Sequence, residues 1–394
     1  MTLVVAPALA ACGADPGSEP GMVVEDSAGV RIVQHTGTPD VEPPFSFAPE
    51  PVYRHGDDPD DQMFAGIWNG ILLGDGSAAI FDAGSSEIVL LNPDGSFLSV
   101  LAPAGQGPGE VGMVTWMTGV GRDSILVEDI ANGRFTFFVD GAVARIVSTQ
   151  GPVSEGLSTH GMDASGRMLM SSSSYRRGFP DEWLPGYMVR FDLETETADT
   201  VATFDWVPFR PPDGTPENPF SHVGIVVAAG GEFLYGRTDT PELIWRRPDG
   251  SIRQIVRWEP DRVYPTEEHW DLFAADLRET APEYNPQART EEAIEKLVTD
   301  MLARYRLVPD EALPLFTLPV TDDTGRVWLG EFTVASDRGA APSYTVFSPE
   351  GHWLGILDVP DGMRVLDVAG ERVLGVIKDE MDVESVVVWE LVGS

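Results

Sequence analysis

A unit of four short apolar strands recurs along this chain at a period of about 40–50 residues, and that recurrence limits the fold more than any single motif does. One full copy runs from Phe64 to Leu73, the turn Gly74-Asp75-Gly76, Ala78 to Asp82, a loop at Gly84-Ser85-Ser86, Ile88 to Leu91, Pro93-Asp94-Gly95, and Phe97 to Leu101. The next keeps the order: Gly121-Arg122-Asp123-Ser124, Ile125 to Asp129, Asn132-Gly133-Arg134, Phe135 to Val139, Asp140-Gly141 and Val143 to Val147, so that Ser124 answers Ser77. Further first hairpins turn at Ser165-Gly166-Arg167, Gly230-Gly231-Glu232, Thr324-Gly325-Arg326 and Ala369-Gly370-Glu371. Pro248-Asp249-Gly250 and Pro349-Glu350-Gly351 repeat the second turn, where proline presets φ and glycine accepts a positive one. Short strands with turns every 8–12 residues or so are an all-β signature, and the period selects propeller blades.

A ring of blades must close, because its first and last members would otherwise each leave a face and an edge uncovered. The last copy ends on its third strand at Val386 to Leu391, while Val30 to Gln34 is a strand without a repeat of its own. That strand is expected to complete the last blade. The sequence therefore predicts an all-β, six-bladed β-propeller of four-stranded blades over residues 22–394.

The rhythm breaks once, at 259–313, between the fourth and fifth blades. Thr266 with Glu267 and Glu268 starts a helix carrying Trp270, Phe273, Ala274 and Leu277 at helical spacing, and Thr290 starts a second with Ile294, Leu297, Val298, Met301, Leu302 and Tyr305 on one face. In a propeller, connections from an outer strand to the next inner strand emerge on the face where the channel opens. The insertion is expected to form a partial lid or side wall there.

Composition limits the partners. The chain has 63 Asp and Glu against 26 Lys and Arg, a formal net charge of −37, which leaves no basic face for nucleic-acid phosphates. One cysteine excludes an internal disulfide and a multi-cysteine metal site. It follows Leu9-Ala10-Ala11 at the end of a short apolar run, an arrangement that resembles the bacterial lipobox. On that resemblance residues 1–12 are a lipoprotein signal segment, Cys12 is the lipidation site, and 13–21, rich in Gly, Pro, Asp, Ser and Glu, is a flexible tether. No Lys or Arg precedes the run, so Met1 is expected to be an internal start. No later stretch is apolar for the roughly 20 residues of a spanning helix. The expected address is exported, held at the membrane surface by lipid on the periplasmic or extracellular side.

Gly105-Gln106-Gly107-Pro108-Gly109-Glu110 between the first two blades, the Asp129 to Phe138 stretch after it, and Glu25 to Val33 resemble bacterial exported six-bladed propellers of the NHL-like or TolB-like, lipoprotein kind. The resemblance covers nearly the whole chain after Gly21. It implies a fold more than an activity, because relatives of this architecture include binding scaffolds, lactonases, lyases and sensor domains.

No Gly-x-Ser-x-Gly elbow, His-Glu-x-x-His or phosphate-binding loop is present, and Gly105 to Gly109 reads as a connector between blades. First strands line a propeller's channel, and they offer Trp68 and Asn69, Thr115 and Trp116, Thr159 and His160, His222, Thr317 and Arg364, a mixture suited to a polar organic ligand. A register slip of one residue would turn any of these into the sheet. His160 and His222 take similar places in their repeats, but no third zinc ligand accompanies them. The long third-blade loop from Ser171 to Tyr187 adds Tyr175, Arg176, Arg177 and Trp183. Arg237, with Arg134, Arg176, Arg177, Arg210, Arg338 and Lys378, belongs to a set of loop cations that could form an anion-attracting rim, unless neighbours such as Asp181 and Glu182 neutralise it.

Asp163, Asp322 and Asp367 fall at one repeat position, where carboxylates could hold Ca²⁺ or cap their own turns. Turn capping is the expectation, and no cofactor is assigned. Asp82 and Asp129, with Glu331 in the corresponding place, are expected to bind loop amides between blades. Two functional readings stay open. One is a non-catalytic exported propeller that binds a small polar ligand or a protein at its channel mouth; the other is a metal-assisted hydrolase or lyase resembling the lactonase group of propellers.

Overall fold

The structure, a computed structural model, describes residues 21–37, 41–56, 61–120, 124–149, 157–173, 183–208, 216–285, 290–334, 341–379 and 381–393. Six antiparallel blades follow one another around a ring, spanning 67–102, 114–148, 157–208, 224–257, 320–358 and, with help from the N-terminal chain, 364–393. Their first strands are neighbours in sequence order, and the sixth returns to the first. Two helices, α1 (Glu267–Tyr284) and α2 (Glu291–Leu302), lie between the fourth and fifth blades as expected.

Strand chemistry follows position in the blade. The second strand, sandwiched between neighbouring blades, is largely buried, and fully so in Ala78–Asp82, whereas the outer strand Ala142–Ser148 is exposed at all but Val147. The core is consequently divided into six seams, one between each pair of adjacent blades. Phe81 and Ile88 of the first blade pack with Val127 and Phe138 of the second. Trp245 of the fourth meets Phe347 and Trp353 of the fifth, and Trp328 of the fifth meets Val373 and Trp389 of the sixth. The closing seam joins Leu374 and Val388 to Ile80 and Val89. Each large side chain withdrawn from water in these seams contributes about 2–3 kcal/mol.

The N-terminal chain closes the ring differently from expectation. Val30–His35 does not complete the last blade; it pairs in parallel with the outer strand Ile252–Arg257 of the fourth blade, and Met22–Ser27 adds a further strand beyond it. The sixth blade is completed by Phe45–Phe47 and Tyr53–His55, both paired with Glu384–Gly393. Between Val30–His35 and Phe45–Phe47 the chain passes the fifth blade at Gly355, where a Cβ would come within 2.7 Å of the Pro43 nitrogen. The reason shows in the seams: Val33 enters the fourth-to-fifth core, Phe45 the fifth-to-sixth, and Tyr53 the sixth-to-first. One strap thus fastens three successive seams.

The insertion is held beside the channel. Thr266 and His269 form a capping box on α1, and Thr290 caps α2 by accepting the Ala293 N–H at 3.2 Å. Phe273 packs on Trp270, Tyr305 and Phe220, the last on the segment leading into the fourth blade. Backbone bonds between Glu217 and Arg304 and Arg306 complete that attachment. No described residue of 259–313 lines the channel cavity, and the insertion packs against the segment leading into the fourth blade.

Candidate functional site

Four of the six first strands carry a β-bulge, at the equivalent rung in the first and second blades and closer to the first hairpin turn in the third and sixth, and the bulges help build the site. The register shifts leave Trp68, Thr115, His160 and Leu366 as the extra residue opposite an otherwise paired second strand. A bulge breaks the strict alternation of faces and re-aims a side chain, which lets two consecutive residues face one side. Trp68 with Asn69, Thr115 with Trp116, and Thr159 with His160 accordingly all line one cavity of about 430 Å³ in the channel. Thr317, Tyr344 and Arg364 line it from the fifth and sixth blades, and Val227 from the fourth.

The strands are fixed at their starts by capping carboxylates. Asp82 accepts the Ala65 and Gly84 N–H groups at 3.1 and 3.0 Å, and Asp129 accepts those of Met113 and Asn132 at 3.1 and 3.3 Å. These are amides of their own blades, so the two aspartates tie the second-to-third-strand turn to the start of the first strand. They position Trp68 and Thr115. Glu331 differs: its carboxylate accepts the Ser343 hydroxyl at 2.8 Å. The Gly105 to Glu110 connector is held by Arg134, whose guanidinium donates to the carbonyls of Gln106, Gly107 and Glu110.

Two carboxylates, one behind the wall and one in it, were not singled out as channel groups by the sequence. Glu128, buried, accepts the Thr115 hydroxyl at 3.0 Å and the Thr159 hydroxyl at 2.8 Å. Burial pushes its acidity toward the protonated form, and those two hydroxyls oppose the push. The signal was an acid beside Asp129 in an otherwise apolar strand. Asp367 lines the cavity and accepts the Leu72 N–H at 2.8 Å. Its burial, reinforced by Asp323 and Asp322 and opposed by the Leu72 and Val368 amides, raises its pKa to about 6.

Asp367 is therefore not the equivalent of Asp163 and Asp322. Those two do cap their turns, accepting from Ser165 and Arg167 and from Thr324 and Arg326 respectively. In the sixth blade the hairpin is tighter, pairing Ala369 with Arg372, and the bulge at Leu366 carries Asp367 to the channel. Among the described residues no three His, Cys, Asp or Glu side chains gather as a metal-ligand group.

His160 and His222 also part company. His160 lies on the third blade's first strand (Leu157–Met162), its Nε2 2.8 Å from Ser171 Oγ, and burial lowers its pKa to about 4, so the ring is neutral near pH 7. His222 precedes the fourth blade's first strand (Gly224–Ala229) and is absent from the cavity wall. It is buried against the insertion, with Nε2 3.6 Å from Glu311, and burial lowers its pKa against the pull of Asp239 and Glu311.

Trp183 and Arg237 are brought together, away from the cavity. The Arg237 guanidinium lies 4.2 Å from the Trp183 ring centre and pairs with Asp239 at 2.5 Å and Asp205 at 2.8 Å. With Arg134 turned onto carbonyls and Arg237 onto acids, these two do not form an anion-attracting rim. Tyr175, Arg176, Arg177, Arg210, Arg338 and Cys12 lie outside the described residues.

No family model and no curated protein matches this chain. Solved structures share its outline. A Bacteroides fragilis protein described as exported superposes with a TM-score of 0.50 at 11% identity, covering 92% of this chain and 99% of its own. The calcium-binding protein regucalcin from Agrobacterium tumefaciens gives 0.42 at 11% identity over 89% of this chain and 96% of its own. A catalytically inactive virginiamycin B lyase from Staphylococcus aureus gives 0.40 at 10%, over 86% and 99%. At these identities the likeness is one of fold.

Proposed function

We propose that this protein is a non-catalytic, exported propeller of the NHL-like, lipoprotein kind that binds a small polar ligand in its central channel. The bulges support this most: first strands give up ladder regularity at Trp68, Thr115 and His160, and consecutive indole, amide, hydroxyl and imidazole groups line one cavity. A volume of about 430 Å³ falls within the range of small-molecule sites. In this reading 1–12 is the signal, 13–21 the tether, and 22–394 the propeller, with Cys12 carrying the lipid. The Bacteroides fragilis relative in fold, described as exported, agrees with that address. No helix among the described residues is long and apolar enough to cross a membrane.

The test is a titration of the purified protein with a chemically varied panel of sugars, amino acids, amines and lactones, read by tryptophan fluorescence and melting temperature. A binder whose effect disappears in Trp68→Ala and persists in Trp183→Ala places recognition in the channel. Binding that survives Trp68→Ala but not Trp183→Ala moves it to the rim. Turnover of an ester or lactone would replace the non-catalytic reading.

A further inference from the structure

The polar groups of the channel wall are biased in one direction of charge. Thr115 and Thr159 both give their hydroxyl protons to Glu128, so what each hydroxyl has left to offer the cavity is lone pairs. Asp367 adds a carboxylate to the cavity lining, an acceptor-only group when ionised that already takes the Leu72 and Val368 amides. Trp68 and Trp116 border the same space, and Trp68 is 52% exposed; the face of an indole carries the negative part of its quadrupole. Arg364 also lines the cavity, and its Nη2 donates to the Ile67 carbonyl at 2.6 Å, so that one of its donors is used within the wall. His160 stays neutral and is engaged with Ser171. A net charge of −37 draws cations toward any opening.

We infer that the channel ligand is an organic cation, an amine or quaternary ammonium whose charge lies against Trp68 and Trp116 and whose polar hydrogens meet Thr115, Thr159 and Asp367. This rests on the channel being the binding site. A neutral polyol of the same shape makes the hydroxyl contacts and loses the attraction of the rings and of Asp367. An anion meets acceptors at each of these positions.

Cation and neutral isostere separate the inference from the channel reading beneath it. The probes are choline against 3,3-dimethyl-1-butanol, putrescine against 1,4-butanediol, and 3,3-dimethylbutanoate as the anion, titrated calorimetrically into the full chain at low salt. The expected result is that at least one cation binds about tenfold or more tighter than its neutral partner, weakens with added salt, and loses about tenfold in Trp68→Ala and again in Asp367→Asn. Cations that bind no tighter than their isosteres overturn the inference. If a neutral or anionic probe then binds and is lost in Trp68→Ala, the channel stands with a different ligand class. If a cation binds equally well to both variants, the channel itself is not the site.

Discussion

At the rim between the third and fourth blades, Arg237 is enclosed by Asp205, Asp239 and the Trp183 ring, and its hydrogen bonds are spent within the chain. In the channel wall the same residue types stand differently: Trp68, His160, Arg364 and Asp367 surround an open volume. Both regions hold a tryptophan, an arginine and acids, and a histidine stands in the wall and close to the rim, so residue type alone does not separate structure from site. Their partners do: Arg237 and Trp183 close on each other and on Asp205 and Asp239, whereas Trp68, Thr115 and His160, the extra residues of bulges, border the cavity. A closed cluster stabilises the fold, and an open one is available to a ligand.

Substitutions should separate the two regions. The largest effect is expected at the rim: Arg237→Ala leaves the half-buried Asp239 without its bidentate partner and should cost about 3 kcal/mol in chemical denaturation. Ligand binding in the channel should be untouched. The next largest has the opposite sign. Asp367 holds its proton more tightly folded than unfolded, its pKa rising from 3.8 to about 6, so ionisation opposes folding. The penalty is absent below about pH 4, grows as pH rises toward about 6, and is complete above that. Asp367→Asn should therefore gain about 2 kcal/mol at about pH 8 and nothing at about pH 3.5; a variant equally stabilised at both would refute the assignment.

Smaller effects probe the wall further. Thr159→Val removes one of the two hydroxyls on buried Glu128 and should cost about 1 kcal/mol, with Glu128→Gln largely relieving the loss in a double-mutant cycle. Trp68→Ala is expected to change stability by less than about 0.5 kcal/mol, because the side chain is half exposed, yet to weaken ligand binding by about tenfold. A large melting shift there would class Trp68 with the rim.

Much of this was legible in the sequence because each blade repeats its own turns. Gly76, Gly166 and Gly325 all take positive φ in first hairpins, and the helices start at Thr266 and Thr290 as their caps and acidic first turns require. The channel residues at 68–69, 115–116 and 159–160 were also readable, though the reason for consecutive pairs was not: a bulge is a register event and leaves no residue-type mark. Val30 to Gln34 was placed on the wrong blade because a strand's pattern states that it pairs, without naming its partner. His222 was grouped with His160 by spacing, although its segment belongs to the packing of the insertion. Asp367 was aligned by counting back from a turn, and a hairpin that is shorter in the sixth blade shifts that count.

The strap across the fourth, fifth and sixth blades sets an order of events during synthesis. Val33 leaves the ribosome long before Val256, its pairing partner, and Tyr53 long before Val388. The first three blades can each assemble as they are made, while Val30–His35 waits for the fourth blade and Phe45–Phe47 and Tyr53–His55 wait for the sixth. Ring closure is thus a late event, taken once Glu384–Gly393 is available to Phe45–Phe47 and Tyr53–His55. Because one segment fastens three seams, loss of that segment would release all three together and unravel the circle from its newest blades.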